Sequence, residues 1–230
     1  MGSEVLAGDR SSREINQEIK DLIRSGEDRI RVRRTQAQHN LAVGILSPVS
    51  ISFEGSVGYY CGGLMDGPEV EILGSAGWGL GESMASGAIQ VTGNAGNGCG
   101  ASIRGGTLVV RGSTAARAGI SMKGGLLIIG GSCGYMTGFM SQKGTVIVCG
   151  NAGPGLGDSM YEGRIFVGGE IQELGNDAVV EEPDQEDWEF LTRHLEPRGL
   201  PVRSSFKKVV SGRRLWNFSR KERDLWKEVL

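Results

Sequence analysis

Glycine returns every 19 residues through the middle of this chain: Gly74, Gly93, Gly112, Gly131 and Gly150 each head a unit whose text repeats with them. A short fixed period means that no unit buries its apolar face alone, so neighbours must stack into a continuous core. A further unit precedes these from Gly55, and Gly169 opens one that fails, so the clear repeat is six units of 19, 114 residues over 55–168. The eighth place is always glycine, from Gly62 to Gly157, and the fourteenth is glycine in every unit but one, which has Pro68. The second place is Ser or Asn throughout. The sixteenth and eighteenth are always aliphatic, from Val70/Ile72 to Ile165/Val167.

Two aliphatic residues separated by one other residue mark a strand. Glycine just before them fits a corner, where φ turns positive or backbone nears backbone. Ser or Asn beside the first glycine predicts a side chain bonded to its local backbone. Met65, Met84, Ile103, Met122 and Met160 share the eleventh place with Ser141, forming a second inward column. Helical solenoids need units of about 33 residues or more. The expected fold is therefore all-β: a single-stranded, right-handed parallel β-helix of 19-residue coils, with a helical N-terminal cap and an irregular or helical C-terminal tail. At about 4.8 Å per coil, such a rod is roughly 30–35 Å long. Residues 36–54 read as a degenerate first coil, with Ile51 and Phe53 at the aliphatic places.

Three regions follow: a capping-helix region at 1–29, the β-helix at 30–180, and an acidic-then-basic docking tail at 181–230. In the first, Ser11 and Glu14 are spaced as a capping box, Ile15, Ile19, Leu22 and Ile23 share a face, and Gly26 stops the helix. Residues 169–200 carry ten acids against Arg193 and Arg198, net −8, and predict a helix from Asp184 to Leu195 with Trp188, Leu191 and Leu195 on one face. Residues 201–230 carry nine Lys or Arg against three acids, net +6, interleaved with Phe206, Trp216, Phe218 and Trp226. The acidic block beside them and the overall net charge of −2 argue against nucleic acid. Docking of these aromatics against the rod or a partner subunit is expected, and the rod should stay folded without 201–230.

The chemistry that a glycine-rich chain suggests does not fit this register. Gly96, Gly98 and Gly100 imitate a dinucleotide fingerprint, but no helix follows them. Glu82 and Asp158 share the ninth place four coils apart, about 19 Å, too far for a carboxylate pair. His39 and His194 lie outside the clear repeats, so no Ser-His or Cys-His nucleophile can form within them. A hexapeptide-type acyltransferase fails because six does not divide 19. Cys61 and Cys99 stand two coils apart, roughly 10 Å and beyond disulfide reach, and the four cysteines read as buried free thiols. No apolar run long enough for a bilayer and no signal peptide are present, which predicts a cytoplasmic protein.

The strings GSAGWGLG (74–81), GNAGNGCGASIRGGTLVV (93–110), GYMTGF (134–139) and GNAGPGLGDSMYEG (150–163) resemble the GXGXG β-helix domain of the glutamate synthase large subunit, over about residues 35–180. The uninterrupted coils, with QKGTVIVCGNAG and LGDSMYEG, resemble its stand-alone form, the small subunits of N-methylglutamate synthases (methylamine–glutamate N-methyltransferases). The resemblance implies a non-catalytic structural subunit that positions a class II glutamine-amidotransferase-like subunit and an FMN-binding, iron–sulfur synthase-like subunit. The complex would convert methylamine and L-glutamate to N-methyl-L-glutamate and ammonia. No catalytic, cofactor-binding or metal residue is expected in this chain, and FMN and iron–sulfur are expected in a partner. Gly2 stands after Met1, where an amidotransferase would carry its cysteine. The same domain type occurs in formylmethanofuran dehydrogenase, as one of that metalloenzyme's subunits. That reading and an independent β-helix carbohydrate-active or acyl-transfer enzyme are the alternatives.

Overall fold

The structure, a computed structural model, describes residues 2–213. Among the described residues eleven strands form one sheet. From β3 (Ser50–Glu54) through β4 (Glu69–Ile72), β5 (Ala88–Val91), β6 (Thr107–Val110), β7 (Lys123–Ile129) and β8 (Lys143–Val148) to β9 (Arg164–Val167), each strand pairs in parallel with the next. The offset is the sequence period: Ile51 faces Val70, then Ile89, Leu108, Leu127, Val146 and Ile165. These residues and their eighteenth-place neighbours are at most 3% exposed, and each contributes about 1.5–3 kcal/mol of burial. The chain is a parallel β-helix.

Two further columns close the core. The seventh place (Cys61, Leu80, Cys99, Ala118, Thr137, Leu156) is fully buried, and the third place runs from Val57 through Ala76, Ala95, Thr114 and Cys133 to Ala152. Isolated parallel bridges such as Val57–Ala76 and Ala76–Ala95 tie most of the third-place column together. Between these columns and the methionine column lie two successive turns. In the Gly74 coil the Glu82 N–H donates to the Gly79 carbonyl (3.1 Å) and the Met84 N–H to the Gly81 carbonyl (3.2 Å). The eighth-place glycines hold φ between 65° and 74°, the left-handed third position that a type II turn requires.

The second-place side chains act differently from the expected local bond. The Ser75 N–H donates to Ser56 Oγ (3.0 Å), Asn94 N–H to Ser75 Oγ (3.1 Å) and Ser113 N–H to Asn94 Oδ1 (2.8 Å), and so on to Glu170 N–H and Asn151 Oδ1 (2.9 Å). At this corner the N–H points along the rod axis, so the oxygen within reach is on the preceding coil. The ladder is between coils.

The ladder also begins earlier than the repeat. β1 (Ser3–Leu6) pairs in parallel with β2 (Arg29–Arg33), and β2 with β3. Helix α1 (Ser12–Arg24) joins those first two strands. Ser11 caps it with the full Ser11/Glu14 box, and Ile15 and Ile19 are buried on the core. Asn16 fixes it there, donating from Nδ2 to the Asn40 carbonyl (2.7 Å) and accepting the Ala42 N–H (2.9 Å).

At the other end β10 (Ala178–Glu181) leads into helix α2 (Gln185–Leu195), capped by Asp184 and Asp187. The chain then returns as β11 (Lys207–Ser211), which lies antiparallel between β9 and β10. Within 201–230, which the sequence reads as separable from the rod, Lys207–Ser211 is a strand of the sheet. Phe206 and Val209 are 1% and 0% exposed, and β11 covers the last coil's open edge. Phe206 docks on the rod as expected; Trp216, Phe218 and Trp226 lie outside the described residues. Among the described residues no helix is long and apolar enough to cross a membrane.

Candidate functional site

The outward seventeenth place divides the sheet. Glu71 and Gln90 face outward in β4 and β5, whereas Val109, Ile128, Ile147 and Phe166 form an apolar band in β6–β9. Leu191, Leu195 and Phe206 complete that cluster, with Trp188 and Leu200 packed against it. A clamp holds the cover down. Asp187, with its side chain 2% exposed, accepts from Arg164 Nη1 (3.0 Å) and Lys208 Nζ (2.8 Å). The Arg164 guanidinium also lies 4.5 Å from the Phe190 ring centre. One carboxylate thus ties α2 to both β9 and β11. Beside this clamp is a recess of 1040 Å³, lined by Arg164, Glu181, Lys208 and Ser211 among others.

The structure keeps the carboxylates of the ninth place apart and gives one a bracing role. Asp158 Oδ2 accepts from the Asn176 N–H (3.0 Å) and Nδ2 (2.9 Å), and Oδ1 from Ser159 Oγ (2.6 Å). Burial pushes the Cys61 and Cys99 thiols up to about 12 and Cys149 to about 11, the last partly offset by Arg203. Thiols so placed stay protonated at neutral pH and are poor nucleophiles. Among the described residues no three His, Cys, Asp or Glu side chains stand together as a metal set.

A surface feature escaped the sequence reading. The first coil holds one extra residue between Ile45 and Ile51, which brings His39 to the fifth place. His39, Tyr59 and Trp78 then stack, with centroids 4.3 and 5.2 Å apart. His39 Nδ1 accepts the Tyr59 N–H (2.9 Å), which fixes the imidazole. Each ring lies over a fourth-place glycine of the next coil: a Cβ on Gly77 would meet Tyr59 Cδ1 at 2.6 Å, and one on Gly96 would meet Trp78 Cδ1 at 2.5 Å. The fifth-place aromatics Tyr59, Trp78 and Tyr135 were a visible signal.

A rod with a packed interior, a clamped cover on one side and an aromatic-studded turn face on another defines a β-helix scaffold. No protein-family description matches the chain. It is similar to Protein GlxC of Rhizobium meliloti (strain 1021), at 41% identity over 61 residues, a little over three coils. That segment is 26% of this chain and 27% of the relative, so the match spans about a quarter of that protein's length.

Proposed function

We infer that this chain is a non-catalytic β-helix subunit of a glutamate-synthase-like complex whose catalytic parts are separate chains. Within that class its stand-alone form points to N-methylglutamate synthase, which joins methylamine to the glutamate skeleton with release of ammonia. The observation that carries the reading is the register. In each coil from Gly55 to Gly150 the third, seventh, eleventh, sixteenth and eighteenth places are core and the eighth is turn, and the fourteenth is left-handed at Gly87, Gly106, Gly125 and Gly144. The GXGXG strings that carry the glutamate-synthase likeness fall on the turns and inward columns. The GlxC match adds a 61-residue likeness to a curated protein.

On this reading the rod holds an amidotransferase-like subunit and an FMN and iron–sulfur subunit at fixed separation, so that ammonia or amine passes between them. A cytoplasmic location goes with it. Affinity purification of the tagged chain from its native cells tests the idea. Co-elution of a flavin-containing chain and an amidotransferase-like chain is expected; elution without either overturns it. Molybdenum or tungsten in place of flavin selects the formylmethanofuran dehydrogenase reading. Turnover by the isolated chain, abolished in Asp158→Asn, selects an independent β-helix enzyme.

A further inference from the structure

Between Glu82 and Asp158 the sequence has no acidic residue and five basic ones: Arg104, Arg111, Arg117, Lys123 and Lys143. Arg111 is engaged, donating to the Arg198 carbonyl beneath the C-terminal cover. The other four are exposed, and none joins an ion pair among the described residues. Lys123 and Lys143 are register partners on adjacent strands. Arg104 is one coil earlier, its Cα 3.8 Å from where a Cβ on Gly124 would stand. Like charges stacked at about 4.8 Å repel one another, and a ligand of opposite sign relieves that.

The same arc carries two apolar posts. At the left-handed sixth and tenth places most coils have Gly or Ser, such as Gly79 with Ser83 and Gly98 with Ser102. The Gly55 coil instead holds Tyr60 (φ 59°) and Leu64 (φ 55°), 46% and 61% exposed. The Gly131 coil holds Met136 (φ 56°) and Met140 (φ 52°), the latter 42% exposed. Each pair has an exposed fifth-place tyrosine beside it, Tyr59 or Tyr135. Bulky residues in strained left-handed positions, pointing into water, are the mark of a contact surface. The posts are four coils apart, about 19 Å, which an extended chain spans in about six residues.

We propose that this arc, from the fifth to the thirteenth place, seats an extended segment of a partner protein. The segment's acidic part lies over the Gly93 to Gly131 coils and its uncharged end over the Gly55 and Gly74 coils, where the arc holds Asp66 and Glu82. Its carboxylates pair with Arg104, Arg117, Lys123 and Lys143, and two apolar side chains about six residues apart rest on Tyr60/Leu64 and Met136/Met140. The apolar posts and the chain's net charge of −2 favour protein over nucleic acid. The scaffold reading supplies the kind of partner, while the face stands on these residues alone.

The test uses the full chain and a fluorescein-labelled peptide with two tryptophans separated by five glutamates, read by anisotropy. Saturable binding is expected, weakened about tenfold by Lys123→Glu/Lys143→Glu and several-fold by Tyr60→Ser/Leu64→Ser. All four sites are on the surface, and an unchanged thermal melt verifies the fold. Equal affinity for a peptide with five lysines in place of glutamates, or unaltered affinity in the charge-reversed variant, overturns the proposal. So does a short DNA duplex that binds tighter than the acidic peptide and displaces it. The peptide is taken from no natural complex, so its failure to bind is separate from a failure of the scaffold reading.

Discussion

In the Gly55 and Gly74 coils the seventeenth place holds Glu71 and Gln90, whereas in the next four coils it holds Val109, Ile128, Ile147 and Phe166 beneath α2 and Phe206. The backbone is the same in both regions, with the same pairing and the same 19-residue offset. One outward residue per coil therefore decides whether the parallel sheet is open on one face or covered on both. Each large apolar side chain that the cover shields from water contributes about 1.5–3 kcal/mol. The C-terminal half thus depends on a segment distant in sequence, while the open coils rely on stacking alone.

The strongest challenge to this contrast is removal of residues 201–230. It strips β11 from β9 and takes Phe206 and Val209 out of the core, so the melting temperature should fall by about 10 °C or more and an apolar dye should bind. A truncated chain that melts with the intact one would show that the cover is ornamental. Next in size, Phe166→Ala should cost about 3–5 kcal/mol in urea unfolding, against no more than about 0.5 for Gln90→Ala at the equivalent place. Equal losses would erase the difference between the two faces. Asp187→Ala leaves Arg164 and Lys208 facing each other without their carboxylate and should cost about 3 kcal/mol. Limited proteolysis at α2 would register the loosening.

Gly106→Val acts within the ladder itself. Its φ is 76°, and an added Cβ would stand 2.5 Å from the Gly87 carbonyl oxygen. A loss of about 2 kcal/mol is expected, and an unaltered melt would refute a strained corner there. The smallest effect is a pH dependence of the cover. Burial, then Arg198, Arg193 and Arg164, hold the His194 pKa below its ordinary 6.5. The unfolded chain binds that proton more readily, so the stabilisation is complete above pH 6.5 and is lost as pH falls through the lower folded value. Urea midpoints between about pH 7.5 and 5.5 should decline less in His194→Phe than in the parent. Parallel declines would remove His194 from the account.

The strands from β3 to β9, the methionine column and both helices were legible in the sequence, because an unbroken period turns one residue's environment into a column's. The seventeenth-place switch is written in the same register, but an outward apolar residue shows no partner until the cover that packs on it is placed. β11 was not readable. Lys207–Ser211 is a short segment in a basic stretch, and its place between β9 and β10 depends on contacts more than 25 residues away. Tyr59 and Trp78 share the fifth place openly, but the single extra residue in the first coil hid the third member of the stack by shifting His39 out of the simple register. Nothing in the residues themselves announces that Tyr60 and Leu64 are left-handed, since only their coil position imposes it.

Because α2 and the segment after it touch four successive coils, they act as a splint along one side of a stack whose coils otherwise touch only their neighbours. A load that bends the rod must open several contacts together in the splinted half, but only one coil boundary at a time in the bare half. Stiffness is therefore graded along the axis, and the Gly55 and Gly74 coils, which the splint does not reach, form the more compliant part.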